Sequence, residues 1–228
     1  MSSRMRMVFA LWMKLLACSP WFWLLLVCNG ISVSILMNDI STERVAVSVI
    51  YEKLGMLIIA FTMISVFSLD MDSGFMNLLR SYPVRRIVLL IERGAIGYFA
   101  GIAIVLLSGI LLPGNIPWTL HLRYLLFMLP VYWTMGALTA AGTLLVQHTV
   151  GGLFGALMFW SAAMSQVGGE YSPILLNFSG VHLAVIHWWT QTEAAWENWL
   201  VFNRWFYCAV GILLWSLAWF AIRIWKKR

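Results

Sequence analysis

Charge is scarce in this chain. Asp, Glu, Lys and Arg make up 11% of its 228 residues, while 62% are hydrophobic and the mean hydropathy is +0.85. Those few charges could not cover a water-soluble core of this size, which argues against a soluble domain. Cysteine is equally sparse. Cys18, Cys28 and Cys208 lie in or beside apolar stretches, form no CxxC, and share no metal-ligand spacing with histidine, so they read as small apolar fillers. No GxxxxGK[ST] is present, so the chain does not bind ATP through a P-loop. HExxH, GxSxG and a clear pair of catalytic carboxylates are missing as well, and neither an enzyme site nor a directly bound cofactor or metal is expected. The net charge of +6 does not point to nucleic acid, because the basic residues are spread over the flanks of apolar runs rather than gathered on one face.

What is present is a series of apolar runs, each near the ~20 residues that a helix needs to cross a bilayer. They predict an all-α, polytopic membrane protein forming one domain over 1–228, with six transmembrane helices at 19–38, 54–69, 94–112, 124–147, 150–167 and 205–222. The second is short and has room to extend backwards past Glu52 and Lys53, which would then snorkel to the interface. Between the fourth and fifth runs, "LVQHTVGG" leaves space only for a tight turn, eased by Gly151 and Gly152; the rival is one broken or re-entrant element.

Charge bias orients the chain. With six spans and both ends inside, the inner segments hold Arg4, Arg6, Lys14, Arg80, Arg85, Arg86, Arg93, Arg223, Lys226, Lys227 and Arg228. The outer ones hold only Arg44, Lys53, Arg123 and Arg204. Trp21, Trp23, Trp118, Trp205 and Trp225 fall near the expected interfaces, where an amphipathic ring is comfortable. The N-terminal stretch 1–18 is expected to be retained rather than cleaved, because Lys14 interrupts its apolar run. Met5, Phe9, Trp12 and Leu16 share a stripe edged by Arg4, Arg6 and Lys14, which suits an amphipathic helix lying on the cytoplasmic leaflet; the rival is a simple extension of the first span.

Between the second and third runs stands "LDMDSGFMNLLRSYPVRRIVLLIER", an alternation of acid, apolar helix, turn and base. Asp72 or Ser73 can cap a short helix. Phe75, Met76, Leu78 and Leu79 give that helix an apolar side, with Asn77 and Arg80 polar. Pro83 stops it, and Arg85 and Arg86 begin the return to the membrane. Read from these residues alone, the segment is either a solvated inner loop or a helix through which a soluble partner could push two spans.

This pattern resembles the cytoplasmic loop of ABC-2 type transporter permeases. Asp70 or Asp72, Gly74, Leu78, Leu79, Pro83, Val84 and Arg86 carry the likeness, and "LLRSYPVRR" is its nearest part. Phe75 stands where that family often has threonine, and Glu92 and Arg93 where it often has a lysine. The resemblance implies six spans with both termini cytoplasmic, an amphipathic helix before the first span, and residence in a bacterial cytoplasmic membrane. It implies that 70–86 is a coupling segment facing a separate ABC ATPase subunit, with Asp72, Gly74, Phe75, Leu78, Leu79, Arg80, Pro83 and Arg86 as the coupling residues. It further implies a dimer with a second permease copy or a homologous permease.

The outer segment 168–203 contains two apolar stretches, 174–178 and 181–189, too oily to float in water and expected as short interfacial or re-entrant helices. His182 and His187, five positions apart, do not share a helix face and make a poor metal pair. Within the spans almost no charge is expected, with Glu92 and Arg93 near the inner headgroups, which argues against an ion-driven transporter. Thr62, Ser65, Ser108, Thr134, Thr139, Thr143, Ser161, Ser165 and Gln166 could line a path, but bonding within and between helices is their commoner use. Gly136, Gly142, Gly152 and Gly155 favour close helix packing. The expected function is the permease subunit of an ATP-driven exporter of an amphipathic or hydrophobic substrate: a peptide, lipid or drug. The alternatives are a non-transporting immunity or assembly factor and a polytopic membrane enzyme.

Overall fold

The structure, a computed structural model, describes residues 14, 18, 20–39, 49–72, 86–111, 118–164 and 197–224. These residues are helical throughout apart from short turns, with no strand among them. The α-helices are α1 (Pro20–Asp39), α2 (Gly55–Asp72), α3 (Arg86–Ile110), α4 (Trp118–Val146), α5 (Thr149–Met164) and α6 (Glu197–Ile224). A π-helical turn, Val49–Leu54, runs directly into α2. Four stretches are long and apolar enough to cross a membrane: Val49–Ser68, Arg86–Ile110, Trp118–Val146 and Phe202–Ile224. Helix α1 has 20 residues. Helix α5 has 16, about 24 Å, short of the ~30 Å hydrocarbon core. Nearly all of the N-terminal stretch 1–18 and most of the outer segment 168–203 lie outside the described residues.

Helix α2 is the centre of the bundle and packs on α1, α3, α4 and α5. Met56, Ile59, Met63, Val66 and Phe67 have no exposed surface, and neither do Thr62 and Ser65 between them. A helix apolar all round is the kind that a bundle encloses. Helix α6 lies at the margin, packed mainly on α4, with Trp205, Leu213 and Phe220 turned outwards.

Successive helices from α2 to α6 run antiparallel, as their end contacts show. At one end Tyr51, just before α2, bonds His121 at the start of α4, and the Trp160 indole near the end of α5 donates to the Lys53 carbonyl. At the other end the Arg86 guanidinium, at the start of α3, donates to the carbonyls of Ile222 and Arg223 at the end of α6, at 3.0 and 3.3 Å. A cation at a helix C-terminus satisfies orphan carbonyls and complements the macrodipole, typically by about 0.3–1 kcal/mol. Arg86→Gln should therefore fray the last turn of α6. Amide exchange over 220–224 should speed up while that of α2 stays unchanged; equal exchange in both proteins would remove Arg86 as a cap.

The link between α4 and α5 is a tight turn, but its conformational freedom sits elsewhere than expected. Gln147 takes the left-handed conformation (φ 58°), ending α4 as glycine more often does. His148 precedes α5 and caps it, its carbonyl accepting from Gly151 N–H and its ring Nδ1 from Val150 N–H. Gly151 and Gly152 are helical and serve packing instead. A Cβ on Gly152 would lie 2.1 Å from Thr143 Oγ1, and one on Gly142 2.7 Å from the Gly151 carbonyl oxygen. Gly136 is as tight, 2.4 Å from the Tyr98 hydroxyl, whereas Gly155 meets only Leu138 at 3.8 Å. Three of the four glycines expected at close crossings are therefore found there.

Candidate functional site

Of the residues expected to couple the chain to an ATPase, Gly74, Phe75, Leu78, Leu79, Arg80 and Pro83 lie outside the described residues. Asp72 and Arg86 bracket them as the last residue of α2 and the first of α3. The segment is thus strung between the most enclosed helix of the bundle and the helix whose first residue grips the end of α6. Arg86 points its guanidinium at those carbonyls.

The opposite end of the bundle holds a buried polar cluster that the sequence did not announce. Tyr51 Oη lies 2.8 Å from His121 Nδ1, and the Tyr51 ring packs against Tyr124 with centroids 5.6 Å apart. The Tyr132 hydroxyl donates to the Tyr51 carbonyl at 2.5 Å, entering the backbone where the π-helical turn gives way to α2. An inserted side-chain donor of this kind suits a helix whose bonding register changes. Gly55, the next residue in α2, makes the approach possible, because a Cβ there would lie 2.1 Å from that hydroxyl.

Glu52 completes the turn and corrects the expectation that it snorkels. It has no exposed surface, whereas Lys53 beside it is exposed. Its charge acts on Tyr132 and on Arg204 of α6. The last helix starts at Glu197 rather than near 205, so Arg204 is carried into the bundle instead of marking its edge. The Arg204 guanidinium stands 3.9 Å from the centroid of the Phe127 ring. Its nitrogens are buried and make no hydrogen bond among the described residues; the same is true of the nearby Tyr207 hydroxyl. Arg93, expected at the inner headgroups, is 6% exposed within α3. The stretches long and apolar enough to cross a membrane therefore do hold charge, since Glu52, Arg93 and Arg204 fall within three of them. The physical reason is that the helices run past the charges that appeared to end the apolar runs.

The hydroxyl residues that could have lined a path are mostly used inside their own helices. Thr62, Ser65, Thr139 and Thr143 donate to carbonyls three or four residues back. Ser108 does the same to Ile104 and accepts from Asn29 of α1 at 2.6 Å. Thr134 joins two helices, donating to the Tyr207 carbonyl at 2.6 Å. Ser165 and Gln166, like His182 and His187, are outside the described residues. Among the described residues no three metal-ligating side chains gather. The buried cluster thus gathers an acid, a base and several tyrosines, a device for joining α2, α4 and α6. Comparison of the chain with protein-family models, with curated proteins and with solved structures finds no match.

Proposed function

We propose that this chain is the permease subunit of an ATP-driven exporter of the ABC-2 type. It moves an amphipathic or hydrophobic substrate, with ATP hydrolysed by a separate subunit. Six spans, both termini cytoplasmic, placement in a bacterial cytoplasmic membrane and pairing with a second permease belong to the same reading. The observation that supports it best is where the 70–86 segment is attached. A partner pressing on that segment would act directly on α2, which touches four other helices, and through Arg86 on α6. A loop serving only to orient two spans does not need to end on the most enclosed helix.

Leu79→Asp tests the reading. The substitution places a charge at a contact that has to exclude water, which costs several kcal/mol where burial is complete. The variant should insert at normal abundance and still pair with its second permease, but should lose the ATPase on copurification. Charge reversal at Arg80 should do less, because exposed ion pairs contribute only about 0–1 kcal/mol. Normal ATPase binding and normal coupled hydrolysis in Leu79→Asp would reject the coupling role. Absence of any ATPase from the wild-type preparation would favour an immunity or assembly factor.

A further inference from the structure

A groove of 440 Å³ opens on the outside of the bundle between α3 and α6, floored by Trp133 of α4. Its walls are almost wholly apolar: Ile91, Gly94 and Tyr98 on α3, and Trp215 and Trp219 on α6. Tyr98 stacks on Trp133 with centroids 5.6 Å apart and turns its hydroxyl away, to the carbonyls of Tyr132 and Trp133. Gly94 lets the Trp215 ring pack on α3, since a Cβ there would lie 2.8 Å from that ring.

Two observations select the occupant. The first is length. Along α3 the groove runs from Ile87 to Tyr98, about 16 Å at the rise of an α-helix. That is half of the ~30 Å hydrocarbon core, the depth of one leaflet, so it takes a lipid chain rather than a spanning helix of a second copy. The second is charge. The groove begins at the end of the bundle where Arg86 and Arg223 stand, the latter 5.6 Å from the centroid of the Trp219 ring. Glu92, the nearby acid on α3, is about 120° round the helix from the groove's centre.

We infer that the groove between α3 and α6 binds one anionic glycerophospholipid, with an acyl chain against Trp133 and Trp215 and the phosphate at Arg223 and Arg86. Basic pockets between transmembrane helices are built for such headgroups. The inference does not rest on the exporter reading and holds for any function of the chain.

The test uses the full chain purified in mild detergent, with bound lipid counted by native mass spectrometry. Phosphatidylglycerol and phosphatidylcholine of the same chains are titrated separately. The wild type should retain phosphatidylglycerol in preference to phosphatidylcholine, and soluble glycerol phosphate should not compete. Ser216→Phe, at an exposed position on the groove wall, and Ala95→Phe opposite it should fill the slot and abolish retention. Arg223→Gln should weaken phosphatidylglycerol about fivefold, the factor that one basic residue near the headgroups contributes, and leave phosphatidylcholine unchanged. Leu213→Phe, exposed on α6 and outside the groove, should change nothing. Equal retention of the two lipids by the wild type would overturn the inference. So would wild-type retention by Ser216→Phe, or equal losses in Ser216→Phe and Leu213→Phe.

Discussion

Glu52→Leu should be among the most damaging single changes in this protein. It deletes a fully buried carboxylate whose charge acts on Arg204, and leaves that buried guanidinium over the Phe127 ring. Removing one member of a buried charge pair typically costs about 3–5 kcal/mol. Replacing both members with apolar groups of similar volume is often close to neutral, because two desolvation penalties vanish together. Arg204→Met should therefore be harmful in the wild type and restorative in Glu52→Leu. The measurement is thermal inactivation in detergent, followed by monodispersity, for the wild type, both single variants and the double variant. If the double variant is as unstable as the sum of the singles, Glu52 and Arg204 do not act as a unit. Stability should also depend little on salt, since screening acts weakly on buried pairs.

A second large effect is expected from the smallest possible change, Gly55→Ala. The added methyl would lie 2.1 Å from Tyr132 Oη and 2.8 Å from Cζ, distances that no pair of non-bonded atoms keeps. Tyr132 cannot swing aside, because it is fully buried and held by its bond to the Tyr51 carbonyl. The ring or the helix has to shift, at about 1–3 kcal/mol for the overpacking, and the hydrogen bond goes with it. Tyr132→Phe removes the nearer atom but keeps Cζ, so it should relieve Gly55→Ala only in part. Gly155→Ala is the internal control. Its Cβ would meet nothing nearer than 3.8 Å, and an alanine in mid-helix is worth about 0.5–1 kcal/mol over glycine. The two substitutions should move the inactivation temperature in opposite directions; a shared direction and size would mean that the Tyr132–Tyr51 junction tolerates a side chain.

Hydropathy made the helices legible, and it did so within a few residues wherever charge and apolar run end together. It failed where they do not. Glu52 and Arg204 each flank an apolar run in the sequence, so each looked like a boundary. Both are carried into the bundle, where their charges act on one another across 152 positions, a relation that no local window contains. Arg86 shows the same limit: as a basic residue after Pro83 it reads as an interfacial charge, while its acceptors are 136 and 137 residues away. The close glycines were legible as a class, because small residues are what tight crossings require. Which of them are tight was not, since Gly155 and Gly152 look alike until Thr143 is placed against one of them. The groove was hidden for a similar reason. Tyr98, Trp133 and Trp215 are ordinary membrane aromatics one at a time, and only the bundle stacks them.

Helix α6 leaves the ribosome after α1 to α5, yet it meets them at both ends of the bundle. Arg204 comes under the charge of Glu52 at one end, and the terminal carbonyls accept from Arg86 at the other. Chains are made from the N-terminus at about 5–20 residues per second. From the time Glu52 enters the bilayer until α6 follows, the growing chain carries an acid in oil without the arginine whose charge later acts on it. Assembly of this bundle is thus a race between the arrival of its closing helix and the quality-control machinery that recognises exposed charge within a membrane.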